Sequence, residues 1–289
     1  EQAHDHISDL AFGAYIDGET RDASSGATFA PTDPAVDEPI TQVARCDAAE
    51  VTDAVAAAGD AFDDGWGAME ASDRAALLRE WVAELRDHLD ELALLETLEV
   101  GKPLAYARAD VENGLDFFEY YANVSVAQEG EHVPTGGDSH AYVRHEPYGV
   151  TGQILPWNYP ILLMGWKVGA ALAAGNTSVV KPPSPAPLAV TRAAQLADGI
   201  LPDGVVNVVP GSGSDVGEPL IDHPDVGKVS FTGSVPVGQS IMRTAADSVT
   251  PVTLELGGKN PFIVFPDADV EEAAATAATG GMYNAGQSC

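Results

Sequence analysis

The sequence predicts an α/β protein with a central, mostly parallel sheet, and three observations support that expectation. From Tyr148 onward, short apolar runs recur (GVTGQIL, NTSVVK, GVVNVVP and KVSFT), each followed by a helical stretch or a turn. Strands alternating with helices build a parallel sheet with helices on its faces. Residues 51 to 62 and 74 to 98 carry apolar side chains at three- and four-residue spacing with Asp, Glu and Arg between them, the period of amphipathic helices. Two glycine-bearing turns, GSGSDVG at 211 to 217 and FTGSVPVG at 231 to 238, each follow a strand and precede a helical pattern.

Taken in order, residues 15 to 45 alternate β-like runs with turn residues, as in YIDGET and FAPTDPAVDEPITQVA, and predict strands crossing a surface. The two amphipathic helices come next. The segment VGKPLAYARADV breaks the helical period at Gly101 and Pro103, after which residues 111 to 126 read as an aromatic-rich helix. Between 130 and 147, GEHVPTGGDSHAYVRHEP sets paired glycines between alternating residues, a hairpin signal and an excursion from the main domain. The parallel strands follow, and ligands in such sheets bind at the carboxyl ends of the strands.

Charge is the compositional outlier: 44 Asp and Glu face 14 Lys and Arg in 289 residues, a formal net charge of −30. A polyanion of this size is repelled by nucleic acid and by anionic membranes, which makes both poor partners. Self-repulsion is tolerable where salt screens it, the Debye length falling to about 3 Å at 1 M. The composition therefore points to adaptation to high salt. No apolar run reaches the roughly 18 residues a membrane span needs. The opening residues EQAHDHISDL lack the basic start and apolar core of a secretory signal, so a cytoplasmic location is expected. Cys46 and Cys289 are the two cysteines, far apart and with no C-x-x-C pair, so neither a disulfide framework nor a metal site is expected.

Several residues carry candidate chemistry, each with a plainer reading beside it. Glycine in the turns at Gly213, Gly217 and Gly233 lets backbone approach a diphosphate, and the helix N-terminus after Ser234 offers free N–H groups; the plain reading is two tight βα turns. Lys181, one of five lysines, ends the strand before the prolines of VVKPPSPAPL, where it is either solvated or a donor to ribose hydroxyls or phosphate, with Ser184 facing the same ribose. Asn158 in ILPWNYP either caps the following apolar helix or aims its amide at a developing oxyanion. Lys167 inside that helix is expected to pair with a buried carboxylate. Glu255 in TLELGGKNP is an ordinary strand residue or, partly desolvated in a cleft, a general base on water. Cys289 alone reads as an inert thiol, and its neighbours are what suggest more.

Together and in this order, PWNYP, KPPSPAPL, FTGSVPVG, LELGGKNP and NAGQSC resemble the aldehyde dehydrogenase superfamily, from about Tyr15 to the last residue. The resemblance implies a Rossmann-like parallel-sheet domain for NAD or NADP over residues 7 to 126 and 148 to 255. It also implies an oligomerisation hairpin over 127 to 147 and the start of a second α/β catalytic domain over 256 to 289. It implies NAD(P)-dependent oxidation of an aldehyde to a carboxylic acid, with Cys289 as nucleophile, Asn158 and the Cys289 N–H holding the oxyanion, and Glu255 activating water. For the cofactor it implies Ile154, Leu155, Pro156 and Trp157, Lys181 with Ser184 at the adenosine ribose, Gly213 and Gly217, and Phe231, Gly233, Ser234 and Leu256. Many NAD-preferring relatives carry glutamate where this chain has Ser184; serine removes the repulsion of a 2′-phosphate, so NADP acceptance is expected.

Relatives continue beyond the position of Cys289, so the resemblance implies a fragment that lacks activity in isolation and a homo-oligomer, dimer or tetramer, when whole. It also implies a substrate tunnel lined by Tyr159, Leu162, Trp166 and Ser288. An aromatic pair holds a quaternary ammonium by cation–π attraction, which makes betaine aldehyde one candidate substrate; the other reading is a pair of apolar tunnel walls. Two further classes remain open: a cofactor-free cysteine hydrolase, which would need a histidine base, and a non-catalytic nucleotide-binding protein.

Overall fold

The structure is a computed structural model that describes residue 7 and residues 10 to 288. Its centre is a seven-stranded sheet. The chain first lays down β1 (Ala14–Ile16) and β2 (Glu19–Arg21), then four short strands in two surface pairs, β3 (Thr28–Phe29) with β6 (Val43–Ala44) and β4 (Thr32–Asp33) with β5 (Glu38–Pro39). After a run of helices over residues 48 to 126 come the hairpin strands β7 (Glu131–Val133) and β8 (Ala141–Val143), antiparallel and largely exposed. The parallel strands β9 (Val150–Ile154), β10 (Thr177–Lys181), β11 (Val206–Val208), β12 (Val226–Gly233) and β13 (Val252–Leu256) complete the sheet in the order β13-β12-β9-β10-β11-β1-β2. Strands β1 and β2 join antiparallel at the β11 edge.

That order decides where a ligand can sit. From β9 the chain winds outward through β10 to β11, then returns to place β12 on the other side of β9 and β13 beyond it. The carboxyl ends of β9 and β12 therefore flank the switch point, where the crossovers diverge and leave a crevice. Strands β9 and β10 are buried at every position, as central strands covered on both faces must be. Neighbouring side chains point oppositely: Val179 enters one core and Val180 the other.

One core lies under α1 (Ala48–Ala61) and the later helices α8 (Glu218–Asp222) and α9 (Val235–Ser248). Helix α1 begins with a reciprocal capping box, the Asp47 side chain accepting from Ala49 N and Glu50 Oε2 from Asp47 N, each at 2.8 Å. The opposite face is covered by α2 (Ala71–Asp87), α3 (Leu89–Val100), α4 (Leu104–Val126), α5 (Pro160–Met164), α6 (Ala170–Ala173) and α7 (Leu188–Gln195). A wider helical turn, Gly165–Gly169, joins α5 to α6.

Two boundaries differ from the sequence expectation. The stretch read as continuous from 74 to 98 divides at His88, whose ring nitrogen lies 3.0 Å from the Glu84 carbonyl. The break lets α3 turn to reach α7 while α2 stays on α4. Helix α4 starts at Leu104, earlier than 111, because Pro103 introduces it and Gly101 ends α3 in the left-handed region at φ 77°. Beyond β13 the chain forms α10 (Val270–Met282), none of whose side chains is buried.

Helices α4 and α5 touch backbone to backbone, which fixes the helix that follows PWNYP. A Cβ at Gly114 would stand 2.7 Å from the Ile161 carbonyl oxygen. Gly114→Ala must push these helices apart, and the expected loss is about 1 to 3 kcal/mol. A urea midpoint unchanged from native would contradict this close approach.

Candidate functional site

The crevice at the switch point is a cleft of about 1500 Å³. Every site residue inferred from the sequence, except Cys289, lines it: Ile154 to Tyr159, Leu162 and Trp166, Lys181 and Ser184, Gly213 and Gly217, Phe231, Gly233 and Ser234, Glu255 and Leu256, and Ser288. Cys289 lies outside the described residues. The topology explains the convergence, since β9, β10, β12 and β13 all point their carboxyl ends to this side.

At one end, Lys181 closes β10, buried, with Nζ donating to the Pro182 carbonyl at 2.8 Å and lying 3.5 Å from Ser184 Oγ. Burial pushes its ammonium down from 10.5 to about 8. Ser184 Oγ in turn donates to the Gly211 carbonyl at 2.8 Å, which ties the Lys181 turn to the glycine turn beside it. A Cβ at Gly213 or Gly217 would meet no atom of the chain, so these glycines keep that wall of the cleft open. At the β12 turn Gly233 is dictated by packing instead, because a Cβ there would overlap the Phe231 ring. Ser234 caps α9 without a side-chain bond, and buried Thr232 Oγ1 has no partner, so the cleft floor holds both free N–H groups and an orphaned hydroxyl.

At the other end the Asn158 side chain does not cap the following helix. Its Nδ2 donates to the Gln287 carbonyl at 2.7 Å, and Asn284 Nδ2 returns a bond to the Asn158 carbonyl at 2.8 Å. These reciprocal bonds clip the PWNYP turn to residues 283 to 288. The cap comes from elsewhere, Glu96 Oε1 on α3 accepting from Ile161 N at 2.8 Å. Among the described residues the second Asn158 N–H has no acceptor, which leaves it for a ligand.

One sequence expectation is corrected here. Among the described residues Lys167 forms no ion pair with a carboxylate; its Nζ donates to Ser230 Oγ on β12 at 2.8 Å, and burial lowers the ammonium to about 8 against the longer-range pull of Glu255. Glu255 lines the cleft from the edge strand β13 with an exposed side chain, the first of the two settings its sequence allowed. The aromatic pair also has its own partners: Lys102 Nζ stands 4.6 Å from the Tyr159 ring centroid, and Trp166 meets Phe117 edge-on at 5.2 Å. Tyr159 thus already faces one cation.

Sequence reasoning missed the group under the cleft, Glu96, Glu99, Lys102, Asp110 and Tyr283. A signal was available: ETLEVGK puts two acids and a lysine into an otherwise apolar stretch, and such charges stay buried only when paired. Among the described residues no histidine lines the cleft and no group of His, Cys, Asp and Glu is placed to hold a metal. No described helix is long and apolar enough to cross a membrane.

The description of the Aldehyde dehydrogenase family matches residues 21–289. The chain is 44% identical over 278 residues to DhaS of Bacillus subtilis, covering 95% of this chain and 56% of that protein. The NAD+ complex of an aldehyde dehydrogenase from Bacillus cereus superposes with a TM-score of 0.96 at 40% identity, over 100% of this chain and 60% of that one. An NADP-dependent enzyme of E. coli gives a TM-score of 0.93 at 40% identity, over 96% and 58%. The chain thus spans a little over half the length of the relatives it matches.

Lys181 makes the site sensitive to pH in a defined direction. Its folded ammonium releases a proton near 8, the unfolded side chain near 10.5, so between these values the unfolded chain binds more protons and stability rises with pH. Relative to Lys181→Met, the native protein should gain on the order of 3 kcal/mol across that interval. Urea unfolding of both proteins from pH 7 to 10.5 checks it, and parallel pH profiles would refute it.

Proposed function

The chain belongs to the aldehyde dehydrogenase family, and on that premise we propose that the protein oxidises an aldehyde to a carboxylic acid with NAD or NADP as hydride acceptor, using Cys289 as nucleophile. One observation supports the reading above the others. The Asn158 amide, the Glu255 carboxylate and the turn leading into Cys289 line the same cleft as Lys181, Ser184 and the glycine turns.

The cleft fits a dinucleotide on its own terms. Open space beside Gly213 and Gly217, free N–H groups at the start of α9 and the orphaned Thr232 hydroxyl suit a diphosphate, and buried Lys181 with Ser184 suits ribose hydroxyls. When bound, the nicotinamide supplies the acceptor for the hydride that leaves the aldehyde carbon.

The residues of the chain do the rest. The Cys289 thiolate adds to the carbonyl carbon, and the free Asn158 N–H holds the oxygen that becomes negative. Loss of hydride from that carbon leaves a thioester. Glu255, exposed to water and followed by Gly257 and Gly258, takes a proton as water attacks; the C–S bond breaks and the acid departs, restoring the thiolate. Asn158 suits its role because the Gln287 bond orients the amide before substrate arrives. A cysteine hydrolase is disfavoured because no described histidine lines the cleft to act as its base.

Two experiments on the whole protein test the reading. Aldehyde-dependent NADH or NADPH formation across an aldehyde panel should fall roughly 10³-fold or more in Cys289→Ala; retention of native activity in that variant would end the proposal. Ser184 carries no charge to repel a 2′-phosphate, so NADP should be used, and Ser184→Glu should lower kcat/KM for NADP at least about tenfold, the factor that accompanies 1.4 kcal/mol. An unchanged NADP/NAD ratio would show that residue 184 does not face the ribose.

A further inference from the structure

The densest group of buried charge lies directly beneath the cleft. Lys102 Nζ donates to Glu96 Oε2 at 3.0 Å and to Asp110 Oδ2 at 2.8 Å, with all three side chains essentially excluded from solvent. Each member also reaches toward the cleft by a second contact. Glu96 caps the start of α5, Lys102 lies over the Tyr159 ring, and Asp110 Oδ1 accepts from the Tyr283 hydroxyl at 2.7 Å. The Tyr159 hydroxyl is bonded in turn to Ser288 Oγ, and Gln287 Nε2 donates to the Val100 carbonyl at 3.2 Å.

Residues 283 to 288 need such tethers. Asn284 and Ala285 sit at φ 53° and 55°, a region that non-glycine residues leave unless surrounding bonds hold them there. Helix α10, which precedes the turn, contributes no buried side chain to fix it. Local bonds orient Asn158 against the turn, but the turn itself is anchored from below.

We propose that Asp110, through the Tyr283 hydroxyl, and Lys102, through Tyr159 and Ser288, are positioning residues that set the turn carrying Cys289 against the Asn158 amide. The assignment rests on the reading of Cys289 as nucleophile. It gives the cluster a role in chemistry that the helix cap at Ile161 N alone would not require, because two of its three outer contacts end on Tyr159 and Tyr283 rather than in the core.

Tyr283→Phe isolates the tether, since the ring, 4.8 Å from that of Tyr106, is retained and only the hydroxyl is lost. In the whole protein two rates are read: alkylation of Cys289 by iodoacetamide, followed by peptide mass spectrometry, and kcat for aldehyde oxidation. Both should fall at least about tenfold while the Kd of the cofactor, from fluorescence titration, stays within about twofold. Ser288→Ala, at an exposed side chain and so harmless to folding, should slow alkylation at least about threefold and combine less than additively with Tyr283→Phe, because both act on one turn. Native alkylation rates in both variants would overturn the proposal. So would a matching loss of cofactor affinity, which would mean that the cleft as a whole had collapsed. Failure of the native protein to oxidise any aldehyde would count against the function alone, because alkylation reports on the turn without turnover.

Discussion

One buried ammonium satisfying two buried carboxylates is the constraint on which the site depends. Removing ions from water costs several kcal/mol each, and their attraction offsets it only when geometry is good and further bonds complete them. Lys102 meets that condition with Glu96 and Asp110 at 3.0 and 2.8 Å. Burial still pushes the Glu96 carboxyl up, opposed by Lys102 and by the Ile161 N–H. Three residues on, Glu99 is pushed up to about 8 by burial although the Leu188 and Ala189 N–H groups hold it. Helix α3 thus caps two other helices, α5 and α7, whose preceding turns carry Asn158 and Lys181 to the cleft.

This arrangement complements the sheet. Strand order opens a crevice beside β9 and β12 whatever the loops contain. The loops become a site because a single stretch, 96 to 102, reaches beneath three of them. Lys181, meanwhile, is given a carbonyl and a hydroxyl and no carboxylate, so its remaining donors stay available to a ligand. Strong pairing below the cleft and sparse pairing within it are one design: the frame is fixed by ion pairs, and the groups that must meet a ligand are left incompletely bonded.

The surface follows a different rule. With 44 acids against 14 basic residues, few carboxylates can find a cation, and one of those cations, Arg86, serves Asp116, Glu119 and Glu112 together. Such exposed pairs contribute little each in water. Burial near the cleft makes a lysine count for more than an arginine on the rim, since the same charge is screened far less there.

The alternation of strand and helix, the two glycine turns and the PWNYP turn were legible because each is written in adjacent residues: period, turn chemistry and strand ends. Hence the sheet could be named in advance, as could cleft residues such as Asn158, Lys181 and Ser234, although Thr232 could not. Other features were not legible, for one physical reason. The hydroxyl that meets Lys167 and the capping of α5 by Glu96 both join groups far apart in sequence, Lys167 and Ser230 by 63 positions, Glu96 and Ile161 by 65. Local periodicity shows which face of α3 is apolar, but only the crossing of helices decides which buried charge meets which. By itself the sequence determined the sheet, the turns and the reactive residue types. The tertiary structure alone decided that the Lys102 cluster underlies the cleft and meets Tyr283, because Asp110 and Tyr283 stand 173 positions apart and only the packing of the folded chain brings the hydroxyl to the buried carboxylate.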